Sequence, residues 1–353
     1  MINPTLDFER PLVELEKRIE ELRNFSREKE IDLSEEIATL EKKAEMLRRE
    51  IFDNLTPWQR VQIARHPRRP TTLDYINLIF DEFIELHGDR AFRDDGAVVG
   101  GIASLAGRPV TVVGTQKGRD TKENLARNFG MPHPEGYRKA LRLMRQAEKF
   151  RRPVVSFVDV VGAYPGVEAE ERGQGQIIAR NLEEISRLAT CIVVVITGEG
   201  GSGGALAIGV GDRLLMLENA YFSVISPEGC AAILWKDGSK AQEAADVLKL
   251  TAPDMKRLGI VDEVLPEPLG AAHKDRDAMA RIIKDALIRS IDELAGIPPR
   301  RLIERRYARL RRIGEFMIRE AAQEGFPETA LASGGGSVQA AAGPGGPKGE
   351  ARS

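Results

Sequence analysis

The sequence predicts an α/β protein whose core is built from stacked β-β-α turns, with a helical hairpin before the core and long helices after it. Three observations lead to this prediction. Apolar runs of strand length alternate with amphipathic helical segments through the middle of the chain. Charged residues and regularly spaced leucines fill residues 8–54, and two long amphipathic stretches cover residues 275–294 and 301–320.

Residues 1–56 are predicted to form the helical hairpin. Their apolar side chains recur on one face of each helix, at Leu12, Leu15, Ile19 and Leu22 and again at Leu33, Ile37, Leu40, Ala44, Leu47 and Ile51. The apolar face is narrow and the helices are long, so the hairpin is expected to need a partner surface. This pattern favours a role in assembly, and an ordinary solvated helix pair is the alternative.

Residues 57–297 are predicted to form the core. A strand hairpin is expected at residues 97–105 and 108–114, because Ala106 and Gly107 separate two apolar runs as a tight turn. The pattern then predicts a sequence of alternating helices and strands: a helix at 134–150, a strand at 153–159, a helix at 169–189, a strand at 191–197, and short strands at 213–217 and 221–225. A C-terminal helix is assigned to residues 298–331. Residues 332–353, rich in Gly, Ala, Pro and Ser, are predicted to be disordered.

The most informative segment is the glycine-dense stretch at residues 198–204. It is predicted to be a loop between a buried strand and a small apolar helix, whose first turn begins near Ser202 to Gly204. The free N–H groups at a helix start point outward, with the positive end of the helix dipole behind them. Gly203 and Gly204 have no Cβ atom, so a ligand oxygen can approach their amides closely. The segment therefore predicts an oxyanion hole made of backbone donors.

Three other interpretations of this segment remain open. The glycines can serve only to pack a helix close to a sheet. Gly198, Gly200 and Gly203 also fit a dinucleotide-binding fingerprint, with Glu218 about 20 residues on. Two short strands follow without a crossover helix, which disfavours that fold. Ser202 can be read as a hydrolase nucleophile, but none of the four histidines, at positions 66, 87, 133 and 273, has a recognisable triad context.

Composition limits the remaining function classes. The net charge of −2 indicates no general surface for polyanions. The two cysteines, Cys191 and Cys230, lie far apart in apolar segments, which indicates a reducing compartment and predicts no metal site built from this chain. The first residues show no signal-peptide pattern and no apolar run reaches membrane-spanning length, so a cytoplasmic protein without a membrane partner is expected.

Several motifs together resemble one family, the alpha subunit of the carboxyltransferase of bacterial acetyl-CoA carboxylase. The resemblance spans roughly residues 6–325. The motifs are Leu6-Asp-Phe-Glu, Arg65-His-Pro-Arg-Arg-Pro70, Gln116-Lys-Gly-Arg119, Asn128-Phe-Gly-Met131, Pro134-Glu-Gly-Tyr-Arg-Lys-Ala140, Gly162-Ala-Tyr-Pro-Gly166, Glu170-Glu-Arg-Gly-Gln174, the residues 198–211, and Ser223-Val-Ile-Ser-Pro-Glu-Gly-Cys230.

The resemblance implies a crotonase-like spiral core and a chain that is active only with a beta subunit. The pair would transfer the carboxyl group of carboxybiotin to acetyl-CoA, forming malonyl-CoA in the committed step of fatty acid biosynthesis. The implied partners are the beta subunit in an α2β2 assembly, the biotin carboxyl carrier protein, and biotin carboxylase within an ATP-dependent holoenzyme. The beta subunit would carry the zinc ribbon and the acetyl-CoA site, while this chain would help to hold carboxybiotin on its carrier protein. Carboxybiotin is thus the implied co-substrate.

The resemblance also implies roles for individual residues. The family's oxyanion donors correspond to Gly203 and Gly204, with Ala205 beside them. Four residues are assigned to the wall of the biotin pocket, namely Gly162, Tyr164, Gly166 and Ala205. For the first three, a turn that only connects a strand to a helix is the alternative. Where relatives often have Asp-Thr-Pro-Gly before this motif, the chain has Asp-Val-Val-Gly at residues 159–162, so the loop shape is expected to differ.

The last expectations concern two basic residues that can bind phosphate and two alternative functions of the chain. Lys117 and Arg119 lie in a loop that can meet the phosphates of coenzyme A, and solvated loop charge is the alternative. A non-catalytic scaffold for the beta subunit is the main rival function. A crotonase-fold acyl-CoA enzyme or hydrolase is the other.

Overall fold

The computed structural model describes residues 5–314, which form an α/β fold. Within these residues the helices are α1 (Arg10–Lys29), α2 (Ser34–Asp53), α3 (Pro57–Ala64), α4 (Thr72–Ile79), α5 (Thr121–Ala126), α6 (Pro134–Lys149), α7 (Val167–Glu171), α8 (Gln174–Arg187), α9 (Ser202–Gly209), α10 (Pro227–Trp235), α11 (Ala241–Leu248), α12 (Ala252–Arg257), α13 (Arg276–Ala295) and α14 (Pro299–Arg311). The strands are β1 (Glu82–Glu85), β2 (Val98–Leu105), β3 (Arg108–Thr115), β4 (Val154–Val160), β5 (Ile192–Gly201), β6 (Arg213–Leu217), β7 (Tyr221–Ser223) and β8 (Glu263–Leu265).

The strands form one mixed sheet. Its order is β1-β2-β3-β4-β5-β6-β8, and β7 pairs with the end of β5. The pairs β1–β2 and β2–β3 are antiparallel, whereas the pairs from β3–β4 onward are parallel. Helices α6, α8 and α9 pack on one another and on the sheet, and α4 and α13 form a second packed pair against it. Because parallel strands are covered by helices, β4 and β5 are buried along their whole length.

The β2–β3 hairpin confirms the prediction made for it. Leu105 lies opposite Arg108, and the two residues between them, Ala106 and Gly107, have φ angles of 51° and 76°. Two consecutive positive φ angles are typical of the type I′ turn, whose twist matches that of the flanking strands. The sequence signal here was local, so the turn and the register were both predictable.

The single helix predicted at residues 169–189 is wrong. The chain instead forms α7 and α8, separated at Gly173, whose φ is 83°. A left-handed residue ends one helix and lets the chain restart in a new direction, and glycine adopts that conformation without a Cβ clash.

The N-terminal hairpin is present as α1 and α2. Its buried side chains Leu12, Ile19, Ala44 and Phe52 form a cluster with Ile63 and Ala271 of the rest of the fold. One face of the hairpin is therefore attached to the core, while most of its residues are exposed. The assembly role, and the boundary proposed at residue 56, stay predictions.

At the other end of the described residues, Arg306 anchors α14. Its guanidinium is buried and donates to both carboxylate oxygens of Asp212 and to the carbonyls of Ile185, Leu188 and Thr190. The predicted helix at 301–320 is observed as α14 up to Arg311. Residues 315–331 and the predicted disordered tail, 332–353, lie outside the described residues. None of the described helices is long and apolar enough to cross a membrane.

Candidate functional site

The glycine-dense segment is a junction between a strand and a helix. The loop predicted at residues 198–204 is wrong, because β5 continues through Gly201. The helix start predicted near Ser202 to Gly204 is confirmed, since α9 begins at Ser202. The extension is held by β7, which pairs Glu199 with Tyr221 and Gly201 with Ser223. The glycines that fitted the dinucleotide fingerprint therefore lie mostly inside a strand, and they do not form a phosphate-binding turn.

Close approach of a second backbone segment explains two of the glycines. A Cβ atom on Gly201 would lie 1.9 Å from the carbonyl oxygen of Val161. On Gly204 it would lie 2.5 Å from both the backbone nitrogen of Ala163 and the carbonyl carbon of Gly162. The segment after β4 thus crosses directly over the junction, and only residues without a side chain permit this contact.

The junction leaves three backbone donors without partners inside the helix, namely the amides of Ser202, Gly203 and Gly204. Gly201, the N-cap residue, supplies no side-chain cap, and within residues 5–314 no backbone acceptor outside the helix engages these amides. Ser202 turns the chain with a φ of 50°. A rigid helix start with open donors is the arrangement expected of an oxyanion hole.

An apolar cavity of about 540 Å³ opens beside these donors. Ser202 and Gly203 form its polar edge, and Ser223 lies on its wall. The other lining residues are Leu206, Phe222, Val224, Leu248, Met255, Leu258 and Ile260. Sequence reasoning missed these residues because they come from separate elements that meet only in the folded chain. None of the side chains that line the cavity ionises.

The residues predicted to wall a biotin pocket lie on the other flank of the junction. Gly162 contacts Gly204, as described above. The ring of Tyr164 packs over Gly166 and lies 4.1 Å from the ring of His133, measured between centroids. Ala205 is 1% exposed and does not line the cavity. The structure thus brings Gly162 to the predicted donors, whereas Tyr164 and Gly166 follow along the same segment.

A buried network of charges lies behind the junction. The Lys117 ammonium donates to Asp159 Oδ1 at 2.6 Å and to Glu199 Oε1 at 2.8 Å. Glu199 Oε2 accepts from Arg65 Nε at 2.8 Å and from the Tyr221 hydroxyl at 2.5 Å. The backbone amide of Glu199 also donates to Asp159 Oδ1. The network therefore connects β4, β5 and β7 with the loop that follows β3. Its central residue, Glu199, lies three residues before Ser202, where the open amides begin.

The electrostatics of this network favour permanent charge over proton transfer. Burial raises the pKa of Glu199, but the charges of Lys117 and Arg65 outweigh it and hold that pKa at about 2. Burial likewise lowers the pKa of Lys117, and Asp159 and Glu199 more than reverse this effect. The carboxylate and the ammonium consequently stay ionised near neutral pH and act as structural ion pairs.

The two basic residues predicted to meet phosphates have different surroundings. The Lys117 ammonium is already engaged by two carboxylates, which does not favour a phosphate contact. Arg119 is exposed and donates to Asp74 Oδ1 at 2.6 Å. Their role in coenzyme A binding stays a prediction.

The hydrolase interpretation of Ser202 has no geometric support among the described residues. The rings of His66 and His273 stack on each other, His133 packs on Tyr164, and His87 pairs with Asp94. A serine nucleophile needs an imidazole within hydrogen-bonding reach as its base. No such pair is formed here.

One group of described side chains has the composition of a metal site. Glu9, His66 and His273 place one ligand atom each within 4.8 Å of one another. His66 Nδ1 accepts a hydrogen bond from the backbone amide of Arg68. Burial lowers the pKa of His273 most, and the neighbouring His66, Lys274, Arg69 and Arg68 lower it further, to about 3. This positive environment opposes a cation, so we assign no ion to the group.

The fold defines the class of the chain, an α/β protein with a crotonase-like core. Two solved structures share the fold. Transcarboxylase 12S aligns with a TM-score of 0.52 and 19% identity over 72% of this chain and 43% of its own. A chain of a Pseudomonas malonate decarboxylase hetero-tetramer in complex with coenzyme A aligns with a TM-score of 0.51 and 19% identity. The alignment covers 62% of this chain and 90% of that chain. The predicted crotonase-like core is confirmed.

Sequence comparison then identifies the family. Residues 5–314 match the family described as acetyl co-enzyme A carboxylase carboxyltransferase-like. The acetyl-coenzyme A carboxylase carboxyl transferase subunit alpha of Halalkalibacterium halodurans is 59% identical over 311 residues, covering 88% of this chain and 96% of that protein. The protein of the same name from Thermus thermophilus is 59% identical over 311 residues, which cover 88% of this chain and 98% of that protein. The chain belongs to this family, as its motifs predicted.

Proposed function

We propose that this chain is the alpha subunit of an acetyl-CoA carboxylase carboxyltransferase, which moves the carboxyl group of carboxybiotin to acetyl-CoA and forms malonyl-CoA for fatty acid biosynthesis. The observation that supports the proposal most is the pair of open amides at Gly203 and Gly204, of which Gly203 lies at the edge of an apolar cavity. Relatives with this name match the chain over nearly their whole length.

The chemistry needs a stabilised oxygen. Carboxybiotin supplies the carboxyl group, and negative charge develops on its ureido oxygen as carbon dioxide leaves. The amides of Gly203 and Gly204 donate to that oxygen from a fixed helix start, so they do not reorganise during the reaction. By analogy with oxyanion-hole deletions, one such donor contributes roughly 3 kcal/mol of transition-state stabilisation.

The surroundings of the amides support the same role. The apolar lining formed by Leu206, Phe222 and Met255 excludes water and accommodates an apolar ring system. Behind the junction, Lys117 and Glu199 hold β5 in register. Because the lining offers no ionisable side chain, the proton from the acetyl methyl group goes to the biotin anion left when carbon dioxide departs, or to a partner subunit.

The proposal includes partners. The relatives are named as subunits, and the malonate decarboxylase that shares the fold is a hetero-tetramer. We assign the chain a beta subunit in an α2β2 assembly, a biotin carboxyl carrier protein and a biotin carboxylase, all in the cytoplasm. Exposed apolar side chains, among them Val224 of the cavity lining and Ile233 and Leu234 of α10, suit a subunit interface.

A reconstitution assay tests the proposal. The chain is mixed with the beta subunit, acetyl-CoA and free carboxybiotin, and malonyl-CoA is measured. Gly204→Val should lower the rate by at least about 100-fold. Its side chain would clash with the backbone of Gly162 and Ala163, and α9 would have to shift together with its amides. Gly209→Val, in the same helix with nothing within 4 Å, is the matched control. Near-normal turnover of Gly204→Val in an intact complex would contradict the proposal.

The scaffold alternative makes a different prediction in the same assay. A chain that only positions the beta subunit and the carrier should tolerate changes at Gly203 and Gly204 whenever the complex still forms. It also offers no reason for open amides beside an apolar cavity. A carboxyl-transfer defect that appears in an intact complex therefore separates the two functions.

A further inference from the structure

A second cavity, of about 370 Å³, lies at the start of α4 and is lined largely by cations. Its lining residues are Pro67, Arg68, Arg69, Thr71, Asp74, Arg119, His273 and Arg276. Two of these arginines, Arg119 and Arg276, share the single carboxylate on the wall of the cavity, Asp74. From this imbalance and the contacts described below, we propose that the cavity binds a phosphate-bearing ligand.

The carboxylate is shared by two of the arginines. Asp74 Oδ1 accepts hydrogen bonds from both Arg119 and Arg276, the first at 2.6 Å. Its other oxygen, Oδ2, accepts from the backbone amide and the hydroxyl of Thr71, which caps α4. One negative charge therefore faces two guanidinium groups, and one positive charge is left for an additional anion.

A third arginine shows how a fully compensated cation differs. Arg69 is buried and forms a two-pronged pair with Glu267, at 2.6 and 3.1 Å, and it also donates to the carbonyl of Thr197. Arg119 and Arg276, in contrast, are 59% and 47% exposed toward solvent. Their planar donors suit the oxygens of a phosphate, which guanidinium groups bind through paired hydrogen bonds.

His273 provides an independent observation. It lines the cavity, it is 6% exposed, and its Nδ1 atom has no hydrogen-bond partner among the described residues. Buried polar atoms are normally paired, so this nitrogen is an available donor or acceptor for a bound group. The volume exceeds that of one phosphate, which leaves room for a diphosphate or for part of a nucleotide.

Binding of pyrophosphate to the full chain by isothermal titration calorimetry tests the inference. Wild type should bind with a stoichiometry near one per chain. Arg276→Ala and Arg119→Ala should each weaken binding by about 10- to 100-fold, because each removes charge-assisted hydrogen bonds. Arg187→Ala, which removes an arginine that is 74% exposed and paired with Glu183, is the matched control and should bind as wild type does.

Asp74→Asn gives a prediction of opposite sign. The amide keeps an acceptor for Thr71 but removes the competing charge, so pyrophosphate should bind roughly 3- to 10-fold more tightly. Competition then identifies the source of the phosphate. Displacement by coenzyme A but not by dephospho-coenzyme A assigns the site to the 3′-phosphate of that substrate, and displacement by neither assigns it to a separate phosphate ligand.

The inference is overturned if wild type shows no saturable binding at millimolar pyrophosphate, or if Arg187→Ala weakens binding as much as Arg276→Ala does. Circular dichroism of each variant establishes that it is folded. Because the measurement uses neither the beta subunit nor carboxyl transfer, its failure leaves the proposed function untouched.

Discussion

The β5–α9 junction and the N-terminal hairpin differ in how strongly their structures depend on individual residues. All ten residues of β5 are buried, and the contacts of Gly201 and Gly204 leave no space for a side chain. In the 20 residues of α1 only Leu12 and Ile19 are buried, and in α2 only Ala44 and Phe52. The junction depends on individual residues, whereas the hairpin depends on a repeating apolar face. Single substitutions should therefore lower the free energy of unfolding much more at the junction than in the hairpin.

The largest difference is expected from removing one lysine in each region. Lys117→Met leaves the buried Asp159 without its cation and Glu199 with Arg65 alone, and it should lower the free energy of unfolding by about 3 to 5 kcal/mol. Lys17→Met, on the hairpin, removes an exposed pair with Glu21 and should cost less than about 0.5 kcal/mol. Urea unfolding measures both. Equal effects would mean that the network behind the junction is not structural.

A smaller effect is expected from one methyl group at the junction. Gly201→Ala forces the new Cβ atom against the carbonyl oxygen of Val161, so the crossing segment must move, at a cost of about 2 to 3 kcal/mol. Gly209→Ala, at the other end of α9, meets no atom within 4 Å and should be neutral or slightly stabilising. Thermal unfolding compares the two variants. A stable Gly201→Ala would show that the segment yields easily.

The pH dependence of stability sharpens the comparison further. The folded pKa of Glu199 is held at about 2, below the ordinary value of 4.5, so its ionised form stabilises the fold. This contribution is present above pH 4.5 and is lost as pH falls through 2. Glu199→Gln should therefore be less stable than wild type at pH 7, by on the order of 2 kcal/mol, and the gap should narrow below pH 4.5. Urea unfolding of both proteins at several pH values measures this difference in the free energy of unfolding. A difference that does not change with pH would contradict the low pKa of Glu199.

The smallest effect on folding is expected on the open face of the hairpin. Met46 is 71% exposed on α2, so Met46→Gln should change the free energy of unfolding by less than about 0.5 kcal/mol. If the hairpin serves assembly through this face, the same change should weaken the α–β complex in sedimentation. Unchanged sedimentation would remove Met46 from the interface.

The sequence predicted much of the fold because many of its signals are local. The turn at Ala106 and Gly107, the strand runs and the apolar faces of α1 and α2 each lie within a short window. The loop at residues 198–204 was wrong because pairing with β7, 20 residues later, overrides the tendency of glycine to break strands. The break at Gly173 was missed because a left-handed residue leaves little trace in helical periodicity.

The site was predictable in part for the same reason. Gly203 and Gly204 could be found because missing side chains at a helix start are visible in the sequence. The partners of Lys117 were not foreseen, because Asp159 and Glu199 meet it only through the order of β3, β4 and β5. The apolar cavity was likewise invisible, since Leu206, Phe222 and Met255 become neighbours only in the folded chain.

The central claim is that the amides of Gly203 and Gly204 hold the oxygen on which charge develops. A crystal structure of the α–β complex with bound biotin tests it most directly, through the distances from the ureido oxygen to these two nitrogens. The account predicts that both lie between about 2.7 and 3.1 Å. A ureido oxygen bound elsewhere, or amides already occupied by protein acceptors in the complex, would contradict it.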